Sequence, residues 1–182
     1  MSLSEDLAAI GAKTGLVVED VSAIVNEEHA RYEFYMKAFA LASPSGDVAL
    51  LRAVLRDPDH SMGEAAAVES VRQQAQRHTS CRSFVWWAAT VSDITRDRYF
   101  LSRRILEWVE FKRIMESRSL NLDSLAQFSD WLQRKLSSEV NYPEILSTLA
   151  EFGRAKRIRN AAKRHLATPG AAGANHDSQG LG

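Results

Sequence analysis

The residues with the most chemical potential in this chain are few and scattered. His29 and Glu33 stand four apart in Glu27-Glu28-His29-Ala30-Arg31-Tyr32-Glu33, so a helix would bring both to one face, where they could supply two metal ligands. A Glu-x-x-His pair of the di-iron type would need an acid at position 26, which is Asn26. His60, His78 and Cys81 are too few for a zinc site, and Cys81 as a nucleophile would need an activating base and a cleft. No metal site and no cofactor is therefore expected. Trp86, Trp87, Tyr99 and Trp108 could line an aromatic pocket, with Asp93 or Glu107 as a base. Because neighbouring helical positions point apart, one of Trp86 and Trp87 must face away from wherever the other faces. Glycine-rich phosphate loops, the Gly-x-Ser-x-Gly elbow and His-Glu-x-x-His are all absent, so the common nucleotide and hydrolase chemistries lose their usual support.

Cationic residues form the densest pattern. Arg154, Lys156, Arg157, Arg159, Lys163 and Arg164 fall within eleven residues, with no acid between Glu151 and Asp177. Such a cluster attracts an acidic protein surface, nucleic acid or anionic lipid. It also complements the negative end of a helix macrodipole. Arg154, Arg157, Arg159 and Lys163 are the expected partner-binding residues, with Arg104 and Arg113 extending the surface. Arg103-Arg104 and Lys112-Arg113 alternate with Tyr99, Trp108 and Phe111, a mixture that can grip phosphates and stack bases.

The chain that must position these groups has 182 residues, 23 Lys and Arg against 23 Asp and Glu, 45% hydrophobic residues and one cysteine. Its length suffices for one continuous core without disulfides, and a lone Cys81 rules out an internal one. Residues 1–95 carry 8 basic against 13 acidic residues and residues 96–182 carry 15 against 10, so charge is polarised along a neutral chain. Zero net charge argues against nonspecific DNA binding by the whole molecule. Every apolar stretch is broken by charge well short of the roughly 20 residues of a membrane helix. Glu5 and Asp6 stand where a signal peptide would be basic. The expectation is a cytoplasmic protein with no membrane partner.

Apolar residues recur at spacings of three and four, and the fold class this predicts is all-α. The pattern places helices at 4–13, ended by Gly15; from Glu19 or Asp20 to about Leu41; at 48–55; at 61–75 after Asp57-Pro58-Asp59; through an apolar 84–91 expected at the centre of the core; and at 99–116. One helix from Asn121 or Asp123 carries Leu125, Phe128, Trp131, Leu132 and Leu136; another starts at Pro143 and ends at Gly153; and 155–166 forms the last. Residues 1–167 read as a single helical domain, and 168–182, rich in glycine and alanine, as a disordered tail.

Two stretches resemble HEAT-type (armadillo-type) helical repeats. In Leu50 to Ala66 a helix, an Asp-Pro-Asp turn and a second helix opening on small residues follow one another; in Leu146 to Leu166 a glycine turn leads to a basic residue, an apolar residue, Arg159, Ala162 and a final leucine. The resemblance implies a short α-solenoid of helical hairpins; an irregular helical bundle is the alternative, since residues 80–140 show no repeat period. It further implies a non-enzymatic scaffold, adaptor or regulatory protein whose surface takes a macromolecular partner, most simply a protein. Nucleic acid is the alternative partner, and a small-molecule enzyme using the aromatic pocket is a third reading. A stack lacking polar ends would also pair with itself.

Overall fold

In a computed structural model, which describes residues 2–16, 21–43 and 47–168, the described residues form eleven α-helices and no strand. The chain divides into two compact units, Met1–Leu106 and Glu107–Gly182.

The first unit begins with α1 (Leu3–Thr14), closed at its start by a capping box between Ser2 and Glu5 and at its end by Gly15, whose φ of 75° is the left-handed turn that glycine takes without strain. The sequence pattern points to a single helix up to Leu41; the structure breaks it into α2 (Val21–Asn26) and α3 (Glu28–Leu41) at an extended Glu27. The break is stabilised by Arg31, whose guanidinium donates to the Val25 carbonyl at 2.6 Å and so replaces a helical partner lost there. The Ser43-Pro44-Ser45-Gly46 stop lies mostly outside the described residues, as do Glu19 and Asp20.

The hairpin of α4 (Asp47–Val54) and α5 (His60–Arg77) follows, and Asp59 caps α5 by accepting from the Met62 amide. At Gly63 a Cβ would lie 2.7 Å from the Val54 carbonyl oxygen, so the absence of a side chain is what lets α5 approach the end of α4. In this unit α3 packs on α5, α1 on α2, α3 and α4, and α4 on α5 and on the helix that follows α5. Its core holds Leu7, Tyr35, Phe39, Leu51, Val54, Ala66, Val71 and Phe84, all nearly fully buried.

Helix α6 (Cys81–Thr95) departs from the expected fully buried helix. Phe84, Trp87 and Val91 are buried, whereas Val85 and Trp86 are exposed, Trp86 at 74%. Its buried positions repeat at spacings of three and four, so the helix is amphipathic and its second tryptophan, not its first, belongs to the core. Trp87 stacks on Phe84 with ring centroids 5.3 Å apart. The boundary between the units falls within α7 (Tyr99–Ser117).

In the second unit the helix expected from Asn121 is two: α8 (Leu122–Leu125), capped by Asn121, and α9 (Asp130–Glu139), capped by Ser129. The side chain of Gln133 bridges the interruption, donating to the Leu125 and Phe128 carbonyls at 3.0 and 3.3 Å. Helix α10 (Pro143–Phe152) starts on its proline and ends at Gly153; α11 (Lys156–Ala167) packs on α10 and α9. Leu132, Leu136, Ile145, Leu146, Leu149, Ile158 and Ala162 form this core. The proposed tail lies outside the described residues from position 169 onward. No helix among the described residues is long and apolar enough to cross a membrane.

Candidate functional site

The basic cluster resolves into two populations. Arg154, Arg157 and Arg159 are engaged within the second unit. The Arg154 amide donates to Gln133 Oε1 at 2.9 Å and its guanidinium to the Ala126 carbonyl at 2.8 Å, tying the turn after α10 to the junction before α9. Arg159 donates to the Gly153 carbonyl at 2.6 Å, closing the same turn from the other side. Arg157 pairs with Asp130 on α9 at 2.7 Å. These contacts exist because α11 turns back on α10 at Gly153, where the backbone carbonyls of a helix end need donors and arginines on the first turn of the next helix supply them.

The remaining cations face solvent. Lys156, Lys163 and Arg164 are exposed and have no ion-pair partner among the described residues. At 100° per residue, Lys156, Asn160, Lys163 and Arg164 share an arc of about 100°, and at 1.5 Å per residue the outer two stand about 12 Å apart along the axis. Ile158 and Ala162, wholly buried, occupy the opposite side. His165 fixes the far end: its ring nitrogens lie 3.2 Å from the Ser137 carbonyl and 2.9 Å from Asn141 Oδ1. Thus α11 is a rigid, strongly basic ridge with no acid in its twelve residues.

The other expected surface residues sit elsewhere. Arg113 is paired with Glu110 one turn away on α7. Arg104 lies over the Phe100 ring, 5.4 Å from its centroid, in the first unit. Of the expected pocket residues, Trp87 and Trp108 are buried, at 7% and 5% exposure, while Trp86 and Tyr99 stand out at 74% and 76%. Trp86, Trp87 and Tyr99 belong to the first unit and Trp108 to the second. Asp93 is paired with Arg96 and Glu107 is buried.

Cavities in the first unit are lined by other side chains. One of about 90 Å³ lies between α1 and α4, walled by Ala9, Ile10, Leu50 and Ala53, with the Asp6–Arg56 ion pair at its edge. An open groove borders His29, Tyr32 and Met62. His29 Nε2 does meet Glu33, at 3.3 Å, but both side chains are mostly exposed. Among the described residues no three His, Cys, Asp or Glu side chains are grouped closely enough to hold a metal ion.

Sequence reasoning missed two buried polar clusters in the first unit. Asp57, 1% exposed, accepts from Arg31 Nε at 3.1 Å, from the Tyr35 hydroxyl at 2.8 Å and from the Asp59 amide at 2.8 Å. Burial, with the Asp57 carboxylate accepting its proton, holds the Tyr35 hydroxyl in the neutral form far above the ordinary tyrosine range. Asp47, 3% exposed at the start of α4, accepts from Gln74 and lies 3.7 Å from Arg77, which also donates to the Phe39 and Ala40 carbonyls. Its Oδ1 has no hydrogen-bond partner among the described residues, and burial raises its pKa to about 6 against the pull of Arg77. The Asp-Pro-Asp turn was visible in the sequence, but the pairing of Asp57 with Arg31, 26 residues away, has no local signature.

No protein-family model, curated protein or solved structure matches the chain.

Proposed function

We propose that this protein is a binding protein, a scaffold or adaptor acting in the cytoplasm, and that α11 presents its docking ridge to an acidic patch on a protein partner. The observation that carries the reading is the row Lys156, Lys163 and Arg164, without an ion-pair partner among the described residues, on a helix whose opposite face is locked into a core. Three like charges along about 12 Å repel one another, and an acidic surface would relieve that repulsion while adding charge-assisted hydrogen bonds. Arg154 and Arg159 contribute by holding the turn that sets the ridge, and Arg157 sits beside it with its charge shared with Asp130.

The reading of the fold as a short α-solenoid of HEAT-like hairpins rests on two tight turns. In one, Gly63 lets α5 close on α4; in the other, Gly153 joins α10 to α11, where an added Cβ would stand 3.0 Å from Ile158 Cγ2. A nucleic-acid partner would use the same ridge through its phosphates, and salt separates the two: phosphate binding falls steeply and log-linearly with ionic strength. The test is capture of partners by the full chain and by a Lys156→Glu, Lys163→Glu, Arg164→Glu variant, with and without nuclease. A discrete protein retained by the wild type after nuclease and lost with the variant supports the reading; an unchanged set of partners overturns it.

A further inference from the structure

Lys135 of α9 points its ammonium into a cluster of aromatic rings in the second unit. Nζ lies 4.1 Å from the Trp108 ring centroid, 4.7 Å from Phe111 and 5.8 Å from Trp131. The rings are set edge to face: Trp108 and Phe111 stand 5.6 Å apart at 88°, Trp108 and Trp131 5.4 Å apart at 63°. One turn further along α9, both carboxylate oxygens of Glu139 lie 2.7 Å from Nζ. The Lys135 side chain is only 12% exposed, and that of Glu139 is 52% exposed, so the carboxylate marks the mouth and the rings the interior. Three π faces around one cation, with a carboxylate at the opening, are the components by which proteins recognise alkylated ammonium groups.

We infer that this cluster is a binding cage for a methylated ammonium cation, and that Lys135 occupies it as a tethered plug. The chemistry discriminates between the two occupants. A primary ammonium is strongly hydrated and loses three hydrogen bonds to water on entering, of which Glu139 restores only part. A quaternary ammonium has no N–H to satisfy and is weakly hydrated, so it gains the ring contacts at a smaller desolvation cost and still feels the carboxylate. Lys135 has four methylenes between its backbone and its charge, and Glu139 is exposed enough to follow it outward, so the plug can leave without unfolding α9. Neutral and anionic ligands find no complement in this site.

Tryptophan emission of the full chain reports occupancy directly, because two of the four tryptophans are cage walls. Choline, and a peptide carrying trimethyl-lysine beside its unmodified form, are titrated at constant ionic strength into the wild type, Lys135→Ala and Lys135→Ala/Trp131→Leu. Removing the plug removes a competitor of high effective concentration, so Lys135→Ala is expected to bind at least tenfold tighter than the wild type, and the double variant to lose the saturable response. A peptide that binds more tightly than choline identifies a methylated side chain as the ligand, and the reverse a free small molecule. A folded Lys135→Ala protein that shows no saturable response, or one indistinguishable from wild type, overturns the inference and leaves Lys135 as a clamp between α7 and α9. Should Lys135→Ala fail to fold, the wild-type titration decides: a saturable response lost in Trp131→Leu supports the cage, and its absence refutes it.

Discussion

Asp47 should make the first unit less stable as pH rises, the opposite of what a paired surface carboxylate does. Its pKa of about 6 in the folded chain stands above its ordinary value of 3.8, so between those values the folded state binds more protons than the unfolded one, and stability falls with rising pH across that window. With the carboxylate ionised in both states, the whole difference of about 2.2 units counts against folding, or about 3 kcal/mol at 1.36 kcal/mol per unit. Part of the cost is already present at pH 4.5, leaving a change of about 2 kcal/mol between pH 4.5 and 7.5. Asp47→Asn keeps an oxygen for Gln74 and carries no charge, so relative to wild type it should gain about that amount over the same range. Arg77 retains the Phe39 and Ala40 carbonyls as acceptors in either protein. Amide hydrogen exchange followed on peptides from α3, α4 and α5, corrected for intrinsic rates, reads this unit alone. Protection of the variant should rise about 30-fold relative to wild type between the two pH values, since 2 kcal/mol is about that factor. Parallel pH profiles for the two proteins would refute the argument that burial, and not the Arg77 pair, sets the ionisation of Asp47.

Other substitutions test the packing account. Asp57→Ala leaves Arg31 Nε and the Tyr35 hydroxyl buried without their carboxylate acceptor and should cost about 3–5 kcal/mol in urea unfolding. Gly63→Ala drives a methyl group against the Val54 carbonyl and should cost about 1–3 kcal/mol, read by the same method. The adjacent tryptophans should behave oppositely: Trp87→Ala loses about 3–5 kcal/mol of stability, whereas Trp86→Ser stays within about 0.5 kcal/mol of wild type.

The helical class and most helix ends were legible because their signals are local. Gly15, the Asp57-Pro58-Asp59 turn, Pro143 and Gly153 each act through their own backbone, and the structure ends or starts helices at or beside them. Two junctions were not legible. The break at Glu27 depends on Arg31 reaching back to Val25 while held by Asp57, and the one before Ser129 depends on Gln133, so both are set by side chains whose partners lie in other turns or other helices. The same limit applies to the surface: charge density drew attention to Arg154 to Arg164, but the pattern does not reveal that Arg154, Arg157 and Arg159 find acceptors at Ala126, Asp130 and Gly153. Composition likewise overstated the burial of α6, since a run of apolar residues does not tell which side of the helix meets a neighbour. The ring cluster around Lys135 joins α7 to α9 across some twenty residues and leaves no spacing rule to read.

The most direct measurement is binding of the captured partner to the full chain and to the Lys156→Glu, Lys163→Glu, Arg164→Glu variant, both verified as folded by circular dichroism. These side chains are exposed and have no ion-pair partner among the described residues, so stability should stay within about 1 kcal/mol of wild type while affinity falls at least a hundredfold. Equal affinity of the two proteins would contradict the assignment of α11 as the docking ridge.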